Sequence, residues 1–371
     1  MSYYLQHYFD PSRDHLHLKP RQGAAENSAL FDLGYVQNAI AGQVLAQLLP
    51  LEQVKNPHPR YILDKAVLPV GPNTCIAPDR PQYLLATANG YVFYYDGLIT
   101  VKRLLNVRGD VNFHTGNIFF VGDSAVHGSV RAGFEIQANN ILVKGMVEGG
   151  IIRARRDLAV AGGIRGGAGK HCLAAAGGKL TSMFVEKAEI RAQDTVQIKK
   201  YCLHSTIYSK GNCVVQGRLS GGTINANASV YITEQLGNNA AVPTRVYLGY
   251  DPMRIRILQR EDKQIGGLSE MITHLDAVAG HLPPDASDAS RKLAQALTQR
   301  EHLIKHRTEL WTSLHLDEQF ASRCCLVVPG KVFPGVEVAI GRTFLAVDRP
   351  YTNVIFRLID DEIVIEHGKT S

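Results

Sequence analysis

Apolar and polar positions alternate in three blocks that begin at Ile190, Ile207 and Ile224, 17 residues apart each time. Counted from each first residue, offset six holds Val196, Cys213 and Val230, and offset eight holds Ile198, Val215 and Ile232. Offset twelve holds Cys202, Leu219 and Leu236. The same frame continues upstream through Ile152 (with Val160) and Cys172, and with small slips through Ile118 and Ile136, giving seven units. Apolar residues two apart mean short strands with one face inward, because successive β side chains point to opposite sides. Each unit therefore reads as three short strands, with glycine doublets such as Gly149-Gly150, Gly162-Gly163 and Gly221-Gly222 at the turns. One such unit cannot hide its apolar face alone, whereas stacked units share an interior. The pattern predicts a single-stranded parallel β-helix whose inward column includes Ile152, Ile190, Ile207, Ile224, Val160, Ile198, Val215 and Ile232.

The period changes after Asp251-Pro252. Ile265, Leu268, Ile272 and Leu275 step by three and four, a heptad seam on a helix, and the same spacing carries on to Ala279 and Leu282. Leu293, Leu297, Ile304, Trp311 and Leu314 mark a second helix, and Pro283-Pro284-Asp285 separates the two. The expectation is an antiparallel helical hairpin, serving either as a partner-binding or dimerising arm or as a packed cap. Strand alternation resumes from Cys324 and at Val336, Val338 and Ile340, which are expected to close the helix. Residues 28 to 49 read as partly helical, and two strand-like runs follow with a turn at Asn89-Gly90. The resulting division is a small α+β module at 1–100, the β-helix at 101–258, the hairpin at 259–322 and closing strands at 323–371.

Composition narrows the classes. At 371 residues and 45% hydrophobic content the chain is globular, and no stretch approaches the roughly 20 apolar residues of a membrane helix. The first residues lack a basic segment followed by an apolar one, so the expected compartment is the cytoplasm. Six cysteines show no C-x-x-C pair and read as small hydrophobes, Cys172, Cys202 and Cys213 at inward offsets. The net charge of +6 resides in the middle, where residues 107–251 hold 16 Lys+Arg against 10 Asp+Glu. A solvated β surface accounts for this, and a site for an acidic partner is the sharper alternative.

The run from Asp110 to Ile164 carries further detail: Thr115-Gly116-Asn117-Ile118, a V-x-G-x-V step from Val126 to Val130, and V-E-G-G-I-I-x-A from Val147 to Ala154. With LSGGTINA at Leu219–Ala226 and PTRVYLGYDP at Pro243–Pro252, it resembles the flagellar assembly protein A (FapA) family. The resemblance covers roughly residues 85 to 258 and extends to the helical hairpin and last strands, and the chain departs from the family in a short and divergent N-terminal portion. It implies a mainly β, right-handed helix without established catalysis, acting in bacterial flagellar assembly through protein contacts.

Two other classes compete. Apolar residues at offsets zero, six and twelve suggest the hexapeptide acyltransferase fold, with His204 or His171 as candidate base. Against it, steps of 17 break the 18-residue coil of three hexapeptides. A bactofilin-like self-polymerising protein would form filaments. A polysaccharide-cleaving site would need clustered carboxylates, and Asp157 and Asp194 fall on different rungs with no ladder expected. The glycines of Gly162–Gly167 lack the G-K-[ST] of a phosphate loop, and His302 and His306 lack the Glu of H-E-x-x-H. No cofactor or metal is expected. Arg153, Arg155, Arg191 and Lys210 form the candidate ridge for an acidic or flagellar protein partner. A homo-oligomer is also considered, and nucleic acid is disfavoured for want of interleaved aromatics.

Overall fold

The computed structural model describes residues 2–15, 18, 34–167, 172–279, 287–314 and 321–368. The protein is mainly β, with a β-solenoid and, among the described residues, two α-helices. The chain divides into two compact units, residues 1–193 with 197–205, and residues 194–196 with 206–371.

In the first unit the alternation of apolar residues builds three parallel ladders. Ile118, Ile136, Ile152, Ala174 and Ile190 are successive partners in one. Val107, Val126, Val143, Val160 and Ser182 follow one another in the second. Val111, Val130, Val147, Ile164 and Val185 form the third. All fifteen are buried and all but Ser182 are apolar, so each strand of each coil turns one residue into a shared interior. The partner of Ile152 and Ile190 is Ala174, not Cys172. The step from Ile152 to Ala174 is 22 residues where the next is 16; one strand ends at Arg165 and the ladder resumes at Leu173. Periodicity read from the sequence cannot locate such a return; strand pairing does.

The N-terminal segment of this unit is β rather than α+β among its described residues. Val44–Pro50 is a strand, not helix, and pairs with Tyr3–His7 and Arg80–Ala86 in a five-stranded sheet; residues 28–33 lie outside the described residues. Leu5, Leu45, Leu84, Val92, Ile99 and Val101 form its core. The two-residue hairpin turn is Asp96-Gly97, at φ 49° and 73°, and not Asn89-Gly90. That conformation matches the twist of the flanking strands and favours an Asp-Gly pair. Asn89 instead accepts a hydrogen bond from Ala41 N at 2.9 Å. Asn38 fastens this segment to the first coil, donating to Phe119 O at 2.7 Å and accepting from Val121 N at 3.1 Å.

In the second unit three parallel ladders run through Ile224, Val246 and Val338, through Cys213, Val230 and Leu326, and through Leu219, Leu236 and Val332. The helices α1 (Pro252–Ala279) and α2 (Ser287–Ser313) are thus an insertion between two consecutive coils. After the last coil the chain turns antiparallel: Tyr351–Ile359 pairs with Cys325–Val332, and Thr343–Ala346 with Val336–Ile340.

Arg254 bonds Ser313 O, Glu261 meets His306 and Asp262 meets Arg307. Low numbers on α1 meet high numbers on α2, so the helices pack antiparallel. On α1, Ile265, Leu268, Ile272 and Leu275 are all partly buried. On α2 only some of the expected residues are. Leu293 and Leu297 are partly buried, whereas Ile304 is 42% and Trp311 50% exposed. The residues that turn inward are Leu293, Ala296, Arg300, Leu303, Arg307 and Leu310, alternately three and four apart. Two of them are the partly buried Arg300 and Arg307; a long cationic side chain can lay its aliphatic stem along an apolar surface, which a search for apolar residues alone overlooks. Ala279 side-chain packing, Leu282 and Pro283-Pro284-Asp285 lie outside the described residues.

Candidate functional site

The eight inward residues named from the repeat, Ile152, Ile190, Ile207, Ile224, Val160, Ile198, Val215 and Ile232, are all at most 2% exposed. Their role is to hold the outward residues in rows. Gln137, Arg153, Ala175 and Arg191 occupy one such row on successive rungs. At about 4.8 Å per rung, Arg153 and Arg191 stand about 10 Å apart along it. Each is already matched by a carboxylate: Arg153 by Glu135, and Arg191 Nε by Glu189 Oε1 at 2.6 Å. Burial first, and then the charge of Arg191, lower the pKa of Arg153. Arg155 is exposed in the turn beyond, beside Arg156, and neither has an ion pair among the described residues. Lys210, in the second unit, lies 3.6 Å from Asp251.

The same matching recurs on another face. Arg131 Nε meets Asp110 Oδ2 at 2.8 Å, and its Nη1 meets Glu148 Oε2 at 2.5 Å, a chain of charges across three rungs. The surplus of basic residues in the middle of the sequence is therefore partly absorbed by ladders of ion pairs, each worth little at a solvated surface.

Carboxylates and amides do form a ladder. Asp123, Asn140 and Asp157 are 17 residues apart. Asp123 Oδ1 accepts from Asn140 N at 3.1 Å and from Asn140 Nδ2 at 2.9 Å. Asn140 Oδ1 in turn accepts from Asp157 N at 3.1 Å, and Asp157 Oδ1 from Lys179 N at 2.9 Å. Each side chain thus caps the turn of the next rung. Burial pushes the Asp123 carboxyl up, but hydrogen bonds from Asn139 and Asn140 and the charge of Arg103 outweigh it, and the net shift is downward. The ladder is visible in the sequence once asparagine is counted with aspartate, since both can accept from a turn N–H. A count of acids alone misses it.

Of the histidines considered, His204 is exposed at φ 49° within the strand Val196–Ser209, His302 is exposed, and His306 Nδ1 contacts the buried Glu261 Oε1 at 2.6 Å. His171 lies outside the described residues. The glycines of Gly162–Gly167 permit close approach of neighbouring rungs. A Cβ on Gly163 would sit 2.2 Å from the Phe184 ring, and one on Gly166 would sit 1.9 Å from Lys187 O.

The FapA β-solenoid domain model matches residues 103–363, which takes in the coils, the inserted helices and most of the closing strands. The chain belongs to the FapA family. No curated protein and no solved structure matches it. For this FapA-family chain, the matched span contains the ladder of paired charges, the capped turns and both helices. Among the described residues no helix is long and apolar enough to cross a membrane.

Proposed function

We propose that this FapA-family chain is a non-catalytic scaffold or adaptor in bacterial flagellar assembly, working in the cytoplasm through protein contacts. The observation that carries the reading is the family match over residues 103–363, which includes the inserted helices as well as the coils. The right-handed sense of the β-helix belongs to this proposal and rests on the likeness to the family. Within it, the helical hairpin is the contact arm. Leu297, Ile304 and Trp311 recur every seven residues beside the α2 seam, and the last two are about half exposed. An exposed Trp at such a position is the residue type enriched where one protein anchors another. The acyltransferase alternative finds less support, because coil steps of 18, 16, 22 and 16 residues depart from a constant hexapeptide multiple.

The test is made in the native cell. A strain lacking the chain is expected to lose flagella by electron microscopy, and the full chain is expected to restore them. Normal flagellation of that strain overturns the flagellar role. A chain carrying Ile304→Ser and Trp311→Ser is expected to melt like the parent and to restore flagella poorly; full restoration rejects the arm.

A further inference from the structure

We propose that the cleft where the N-terminal segment meets the first coils binds a phosphate-bearing small molecule. The cleft measures about 730 Å³ and belongs wholly to the first unit. That volume lies in the usual range of about 300 to 1,000 Å³ for small-molecule sites.

Its chemistry is one-sided. Lys102, Arg108, His15, His114 and His127 line it, and Asp110 is the only carboxylate among the lining residues. Asp110 is fully engaged elsewhere: Oδ1 accepts from Ser129 N at 2.7 Å and Oδ2 from Arg131 Nε at 2.8 Å. Those contacts, the Ser129 N–H foremost, hold its carboxyl below the usual range against the opposing effect of burial. Among the described residues neither Lys102 nor Arg108 has a carboxylate partner. This sets them apart from Arg131, Arg153, Arg165 and Arg191 of the same unit, each of which faces a Glu or Asp.

The donors are held in place. His15 stacks on Phe93 with ring centroids 4.2 Å apart. His127 Nδ1 lies 3.3 Å from Lys144 Nζ; with the ammonium donating, Nε2 carries the ring proton and is itself a donor. Asn112 and Thr115 lock the turn that carries His114: Asn112 Oδ1 accepts from His114 N at 2.8 Å, and Thr115 Oγ1 accepts from Asn112 N at 3.0 Å. Arg108 and Gly109 form the lip, where a Cβ on Gly109 would meet nothing within 4 Å. A guanidinium, an ammonium and several imidazoles lining one open cleft suit phosphate oxygens, to which charge-assisted hydrogen bonds are the strong ones.

The probes are ATP, inorganic pyrophosphate and adenosine, titrated into the full chain by calorimetry. ATP and pyrophosphate are expected to bind and adenosine not. K102Q/R108Q is expected to weaken both by at least about tenfold, about 1.4 kcal/mol, with an unchanged melting temperature, since both side chains are exposed. K55Q/K65Q, which removes the same charge from exposed positions elsewhere, is expected to leave binding unchanged. Three results would each overturn the site: no binding of either phosphate compound at millimolar concentration, equal weakening by the two double variants, or adenosine binding as well as ATP.

Discussion

Asn140→Ala isolates the turn ladder from the apolar interior. The substitution removes the Asn140 Nδ2 donor to Asp123 and the Oδ1 acceptor of the Asp157 amide. A hydrogen bond to a carboxylate contributes about 1.5–3 kcal/mol and one between neutral groups about 0.5–1.5. Asp123 keeps its bonds from Asn139 Nδ2 at 2.8 Å and from Asn140 N, so the first figure sits at its low end. The expected loss is about 2 kcal/mol, or about thirtyfold in the opening equilibrium. Hydrogen exchange read by mass spectrometry on peptides spanning Asp157 measures it locally, and urea unfolding measures it globally. Asn140→Asp sharpens the test: it keeps the acceptor for Asp157 N but sets a second carboxylate against Asp123. It should be at least as damaging as alanine at pH 7 and recover below about pH 4, where one of the pair protonates. Asp157→Asn keeps an acceptor for Lys179 N and should be nearly neutral. If Asn140→Ala changes stability by less than about 0.5 kcal/mol and leaves exchange at Asp157 untouched, the ladder is not a stabilising device.

The remaining predictions concern glycines, thiols and acid. Gly266→Ala and Gly267→Ala lie mid-helix in α1 with nothing within 4 Å of the new methyl; each should stabilise by about 1 kcal/mol in thermal unfolding. Gly330→Ala would place its Cβ 1.8 Å from Glu234 O and should cost about 3 kcal/mol or prevent folding. Burial pushes the thiols of Cys172, Cys202 and Cys324 up to about 11, 12 and 11, so a native chain at neutral pH should resist a disulfide reagent at all three; rapid labelling there would contradict the buried column. The carboxyls of Asp110 and Asp123 have folded pKa values below their ordinary 3.8. Their contribution is therefore present above that value and lost as pH falls through the folded pKa. Melting temperature should drop on acidification below about pH 4 and less so in Asp110→Asn.

The alternation of large aliphatics with polar residues was enough to place Ile152, Ile190, Ile207 and Ile224 inside, because a strand with one dry face repeats every two residues whatever surrounds it. The heptad of α1 was legible for the same local reason. The α2 seam was not, since Arg300 and Arg307 are partly buried while Ile304 and Trp311 are exposed; which face turns inward depends on the partner helix. The candidate ridge shows the same limit. Arg153 and Arg191 could be placed on one outward row from offsets alone, but their matching by Glu135 and Glu189 depends on rotamers and neighbouring rungs. Lys102 and Arg108, which have no carboxylate partner among the described residues, gave no signal in the sequence at all.

The chain's own order of residues determined the β-solenoid, its inward column, the presence of a helical insertion and the likeness to the FapA family, all of which rest on short-range periodicity and local motifs. Tertiary structure alone decided which residues pair where the coil step changes: Ala174 and not Cys172 with Ile190, and Leu326 with Val230 across the inserted helices. It also decided that Val44–Pro50 is a strand, and it brought His15, Lys102, Arg108, His114 and His127 to one cleft. Periodicity tells a residue which way to face; only pairing between distant segments tells it what it faces.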